Sequence, residues 1–239
     1  MKKIILISFV FLLSISTYAQ LQTISLYSDY SFAGKKNLQI TRADAVGALV
    51  QLKFNVYENF GFSIISGYKL YSLNEPDVLK TWNWDFWTNR YYPKIVSDLR
   101  ADPNLSVEIG AIQKMDLIPV ILFINYDIIP FEDIKITPSA GAGVNFYTRR
   151  MFATERWTKK FPQANHSFTY SYRNFAPDKK GNPVFAKFGL TFTYNLLSYL
   201  DLSASSSYSK IFETKNSMGY DTFPFDSEFS FNIGLSFKY

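Results

Sequence analysis

Residues 228–239 read Glu-Phe-Ser-Phe-Asn-Ile-Gly-Leu-Ser-Phe-Lys-Tyr. Phe229, Phe231, Ile233, Leu235, Phe237 and Tyr239 alternate with Glu228, Ser230, Asn232, Gly234, Ser236 and Lys238. Successive side chains of a strand point to opposite faces, so the segment predicts a ribbon with one greasy face and one wet face. The same period of two recurs along the chain. It predicts strands over about 22–32, 45–57, 60–72, somewhere within 105–128, 134–147, 184–196, 199–212 and 228–239. Alternation is poorest in the fourth, where Leu117, Ile121 and Phe123 fall on the face that should be wet. Pro138 removes a ladder donor from the fifth and predicts a local bulge. The connections after the second, fourth and sixth strands are short, and the others are long. Residues 148–183 read as one long polar loop.

Charge decides which face meets what. The wet faces carry Asp29, Lys53, Lys69, Lys135, Lys187, Asp201 and Lys238. A lysine on a lipid-facing strand position costs about 2–4 kcal/mol near the bilayer midplane. Several together would exceed the ~5–15 kcal/mol that holds a typical domain folded. In a membrane the charged faces therefore turn inward. A soluble lipocalin-like barrel would do the reverse, and it would leave the alternation of short and long connections without a reason. Eight strands enclose a bore just wide enough for side chains. We expect ion pairs and hydrogen bonds to fill it rather than an open pore. Gly47, Gly61, Gly67, Gly141, Gly143, Gly189 and Gly234 share the inner face and are expected to make room for the long lysines. Leu49, Ile65, Ile121 and Phe123 also point inward and keep a solute path as an alternative.

Two segments carry a resemblance. Asn232, Gly234, Phe237 and Tyr239 match polar-x-Gly-x-x-aromatic-x-aromatic, which is similar to the assembly signal of bacterial outer-membrane β-barrels. Pro138, Gly141 and Gly143 match a Pro-x-x-Gly-x-Gly strand found in the small members of that class. The chain after its leader thus resembles small porin-like barrels of the OmpA, OmpX and OmpW-like kind. The resemblance implies an all-β fold: an eight-stranded antiparallel up-and-down transmembrane barrel with short periplasmic turns and long extracellular loops. It implies the barrel-assembly machinery and periplasmic chaperones as partners. Two roles come with it: a non-enzymatic barrel with surface loops for envelope integrity or binding, or an OmpW-like transport barrel for small, hydrophobic solutes.

The other end fits export. Lys2 and Lys3 precede an apolar run from Ile4 to Ile15, and Thr17-Tyr18-Ala19 ends in a small residue. This pattern predicts a signal peptide over residues 1–19, cleaved after Ala19, with 20–239 as the barrel. No other stretch nears the length of a transmembrane helix. Absence of cysteine removes disulfides, thiol chemistry and a lipidated N-terminal Cys. Losing Lys2 and Lys3 takes the formal charge from +5 to +3, too little to argue for nucleic acid. The 18% share of aromatics suits strands and interfacial girdles.

Candidate functional residues lie in the long connections. Residues 148–183 hold Arg149, Arg150, Arg156, Lys159, Lys160, Arg173, Lys179 and Lys180 against Glu155 and Asp178. The first five are candidate contacts for outer-membrane lipid and the phosphates and carboxylates of lipopolysaccharide. Thr81-Trp-Asn-Trp-Asp-Phe-Trp87 alternates and is expected to extend the barrel wall, its rings serving as a girdle or packing on a neighbouring loop. Pro93 opens an expected helix reaching Arg100. His166 is the only histidine; it sits in a loop beside Ser167 and lacks a third group to orient it, so no catalytic residue is assigned. One histidine and no cysteine leave no metal-ligand spacing, and no cofactor is implied.

Overall fold

The eight long alternating runs become strands in the computed structural model, which describes residues 20–212 and 223–239. The expected signal peptide, residues 1–19, lies outside the described residues. Eight long strands form a ring: β1 (Gln20–Ala33), β2 (Arg42–Tyr57), β3 (Phe60–Asn74), β4 (Leu105–Tyr126), β6 (Ile134–Phe161), β9 (Val184–Leu197), β10 (Leu200–Ile211) and β11 (Ser227–Lys238). Each is antiparallel to the next, and β11 returns to β1 with a register from Thr23↔Lys238 to Ala33↔Glu228. A closed ring has no edge, which is what lets strands cross lipid with every backbone group paired. Three short strands join β6: β5 (Ile128–Phe131), β7 (His166–Phe175) and β8 (Lys179–Gly181).

The wall is apolar outside. Val46, Val50, Ile64, Leu122, Ile124, Phe188, Phe192 and Ile233 are all exposed. Aromatic rings band its two ends. Phe54 stacks on Phe62 at 4.8 Å near the short-turn end, and Phe32 stacks on Phe229 at 5.5 Å near the other. An apolar belt between aromatic girdles is the surface a bilayer selects. No described helix is long and apolar enough to cross a membrane.

Three expectations need correction. A strand crosses a bilayer in about 9–11 residues, yet β4 has 22 and β6 has 28. The supposed loop 148–183 is therefore mostly sheet: β6 runs on to Phe161, turns, and returns as β7, paired Phe161↔His166 to Phe152↔Phe175. With β4 alongside, these strands form a three-stranded extension beyond the barrel. The Trp-rich stretch is not wall. It lies in a helical segment made of α1 (Val78–Thr81), a π-turn (Trp87–Tyr91) and α2 (Tyr92–Ala101), with Pro93 in the first turn of α2. Pro138 makes no bulge either. Its register with β9 is unbroken from Ile134↔Tyr194 to Val144↔Val184, and the ladder to β4 ends beside it at Asn125↔Ser139.

Candidate functional site

Inside the ring, side chains close the bore at successive levels. In the middle lies a charged knot. Lys69 on β3 is 1% exposed. It donates to Glu228 Oε1 at 2.7 Å and Ser31 Oγ at 2.8 Å, and lies 3.2 Å from Asp29 Oδ1. Lys187 on β9 lies 3.7 Å from the same Glu228 oxygen and donates to Ser230 Oγ at 3.3 Å. Tyr71 donates its hydroxyl to Glu228. Two lysines meet two carboxylates, so the knot is neutral and its members are mutually hydrogen-bonded. That is the condition under which charges tolerate burial.

Toward the long-loop end the bore is apolar. Tyr71, Met115, Leu117, Tyr147, Phe185, Phe223 and Phe225 are buried together. Phe225 lies 5.1 Å from Tyr71 and 4.7 Å from Phe223 between ring centres. Toward the short-turn end is a cavity of about 70 Å³, lined by Tyr27, Leu49, Ile65, Phe123 and a run of serines and threonines. Below it, Lys53 reaches Asp127 at 2.5 Å, Lys135 lies 3.7 Å from Asp127, and Lys238 lies 2.7 Å from Asp201. All seven charges named from the sequence thus line the interior, joined by Glu228 and Asp127. Glu228 stood on the wet face of the closing strand and could have been read there. Asp127 lies past the end of β4, where alternation had stopped.

The inner glycines serve a different purpose from the one expected. An added Cβ on Gly47 would sit 3.0 Å from Lys69 Cγ, so that glycine does admit a lysine. At Gly234, Gly141 and Gly143 such a Cβ would meet a neighbouring strand's carbonyl oxygen at 2.0–2.4 Å and then the rings of Tyr27, Phe123 and Phe185 at 2.7–2.8 Å. Small residues here allow close approach of backbone and of aromatic rings. The terminal pattern is spread over both faces of β11. Asn232 donates to Ser205 Oγ at 3.0 Å inside, while Phe237 and Tyr239 are exposed outside.

The extension is the second candidate surface. Its inner face is covered by the helical segment: Trp82, Trp84, Trp87 and Ile95 pack with Met151, Ala153 and Trp157. Glu155, buried there, accepts from Trp157 Nε1 at 2.8 Å and Asn174 Nδ2 at 2.5 Å. The five candidate lipopolysaccharide contacts separate. Arg149 turns inward, 3% exposed, 3.5 Å from Glu75 and over the Trp82 ring. It is corrected from surface contact to part of this core. Lys159 is half-buried and held by Asp102. Arg150, Arg156 and Lys160 are exposed on the outer face. His166 is exposed at the hairpin turn. Among the described residues no group of three His, Cys, Asp or Glu could hold a metal ion.

A closed eight-stranded ring with an apolar outside and a charged, packed inside is an outer-membrane β-barrel. The sequence matches no protein-family model and no curated protein. Among solved structures, Neisserial surface protein A is similar at 12% identity over 92% of this chain and 99% of that one, with a TM-score of 0.49. Ail, the attachment invasion locus protein of Yersinia pestis, is similar at 10% identity over 91% and 97%, TM-score 0.43; that structure holds a heparin analogue, sucrose octasulfate. The outer-membrane protein AlkL is similar at 13% identity over 93% and 92%, TM-score 0.40. The ring and its lipid-facing wall stand on this chain's own pairings, and no residue role is taken from these proteins.

Proposed function

We propose that this protein is a non-enzymatic, non-conducting outer-membrane barrel that carries a binding platform on the cell's outer face. The observation that carries the reading is the sealed bore: a neutral knot of Lys69, Lys187, Asp29 and Glu228 beneath an apolar cap. An ion or solute would have to break buried, hydrogen-bonded charge pairs and displace packed rings, and both cost several kcal/mol. The long connections, by contrast, are invested in structure. They build a three-stranded extension and the helical segment that fills its inner face. Arg150, Arg156 and Lys160 on the outer face are proposed to meet anionic sugars and phosphates of the outer leaflet. Asn232, Gly234, Phe237 and Tyr239 are proposed as the signal for barrel assembly, and residues 1–19 as the signal peptide that directs export and is cleaved after Ala19. No cofactor and no chemical step belong to this reading.

The transport alternative rests on the inward Leu49, Ile65, Ile121 and Phe123. They line a cavity of about 70 Å³ that they share with Lys53, Lys135, Lys187 and Asp201, a charged lining ill suited to a hydrophobic solute. Single-channel recording of the refolded protein in a planar bilayer separates the two, with heat-shifted gel mobility confirming the folded barrel. Silence from a folded barrel is the expected result. Steady unitary steps would overturn the sealed-bore reading and restore transport.

A further inference from the structure

Just beyond the outer aromatic girdle, one side of the wall carries a row of cations in cross-strand register. Lys114 on β4 stands directly opposite Arg150 on β6, and Lys180 on β8 stands opposite Thr148, next along. Like charges placed directly opposite on a sheet destabilise the pairing. Arg150 is partly compensated by Asp116 and by Asp178 at 3.9 Å. The side chains of Lys114 and Lys180 have no hydrogen bond or ion pair among the described residues. The opposite side of the barrel differs: Lys35 and Lys210 both lie against Asp226, at 3.2 and 3.8 Å.

Two outward hollows border these cations. One of about 340 Å³ lies over Ile118, Phe146 and Lys180. The other, of about 590 Å³, lies between Val46, Leu70, Arg42 and Lys114. Both have apolar floors continuous with the lipid-facing wall and mixed rims: Asp116 lies with Lys180 in the first and Asp44 pairs with Arg42 in the second, so Lys114 and Lys180 are the rim cations without an ion pair. An amphiphile with acyl chains and more than one phosphate satisfies both features at once: chains on the apolar floors, phosphates between Lys114, Arg150 and Lys180. Phosphate contact would also relieve the opposed Lys114–Arg150 pair.

We propose that this face, formed by β2, β3, β4, β6 and β8, is a specific site for the phosphorylated, multiply acylated glycolipid of the outer leaflet, the lipid A moiety of lipopolysaccharide. It deepens the lipid contact proposed above and rests on the membrane-spanning barrel, not on the sealed bore, so a conductance result leaves it standing. The test is native mass spectrometry of the refolded, heat-shiftable protein titrated with bis-phosphorylated lipid A. Dephosphorylated lipid A, phosphatidylglycerol and inorganic phosphate serve as comparison probes. One bound lipid A per barrel is expected, with affinity at least tenfold weaker in a Lys114→Gln/Lys180→Gln double variant and unchanged in Lys210→Gln. Both lysines are exposed, so the fold should survive; Lys180→Gln alone supplies the readout if the double variant does not refold. Equal affinity of the double variant and the parent would overturn the site. So would phosphatidylglycerol or dephosphorylated lipid A binding as tightly as the bis-phosphorylated form, or inorganic phosphate saturating the site by itself.

Discussion

Glu228 is the residue on which the bore's charge balance turns. It takes contacts from Lys69, Lys187, Tyr71 and Ser230, the last at 2.6 Å. Glu228→Gln would leave Lys69 and Lys187 buried with Asp29 as their one nearby carboxylate. Removing one member of a buried ion pair typically costs about 3–5 kcal/mol, because the remaining charge loses its partner and cannot regain water. The expected outcome is a fall of that size in the unfolding free energy, read as a lower urea midpoint for the detergent-folded barrel. An unchanged midpoint would mean that hydration, not Glu228, stabilises the lysines. The sequence exposes much of this chemistry at the residue scale, since parity alone sends Asp29, Lys69 and Lys187 to one face. Arg149 shows where parity stops helping. It shares the inward parity of Lys135 on the same strand, but in sequence its segment reads as loop, and its burial over Trp82 follows only once β6 is known to continue.

At the scale of elements, β6 and the helical segment explain why the outer half was hard to read. Between Thr148 and Phe161 charges stand on both faces of β6, so the contrast of greasy and wet that marks a membrane strand is gone. The outer face meets water, and the inner face meets helices rather than the bore. The tryptophans alternate in sequence, yet they form the core of a helical cover, because a period of two over seven residues does not distinguish a strand from a turn-and-helix segment. Trp87 is 5% exposed, with ring centres 5.7 Å from Trp84 and 5.6 Å from Tyr91. Truncating a buried tryptophan to alanine costs about 3–5 kcal/mol. This cost should fall on the cover alone, since the ring is paired strand to strand without it. In Trp87→Ala, limited proteolysis should cut within residues 75–104 at least tenfold faster while the barrel keeps its heat-shifted mobility. Loss of that mobility together with the cover would show that the two are one cooperative unit.

For the whole molecule, closure of the ring is legible because each strand repeats one simple contrast, and the first and last strands both carry it. The seal is less legible because it is built from different sources at different levels. The knot comes from strand positions with inward parity. The cap takes Phe223 and Phe225 from the approach to β11 and Ile40 from the connection before β2, none of which belongs to an alternating run. Two seals in series predict a specific pattern of opening. Phe223→Ala/Phe225→Ala removes two of the cap's rings, the two supplied by the approach to β11, but leaves the knot. Lys69→Ala/Glu228→Ala removes one cation and one anion, so Lys187 and Asp29 remain as an opposite pair and no charge is stranded. Each pair of substitutions alone should stay silent in a planar bilayer, because the other level still blocks the bore. All four together should join the outer end to the cavity near the short-turn end and give small unitary steps. Conduction by either pair alone would mean that the remaining level does not seal. A folded, silent quadruple variant would place the block among the remaining rings of Tyr71, Tyr147 and Phe185 or below the knot, among Lys53, Asp127 and Lys135, and the two-level account would fail.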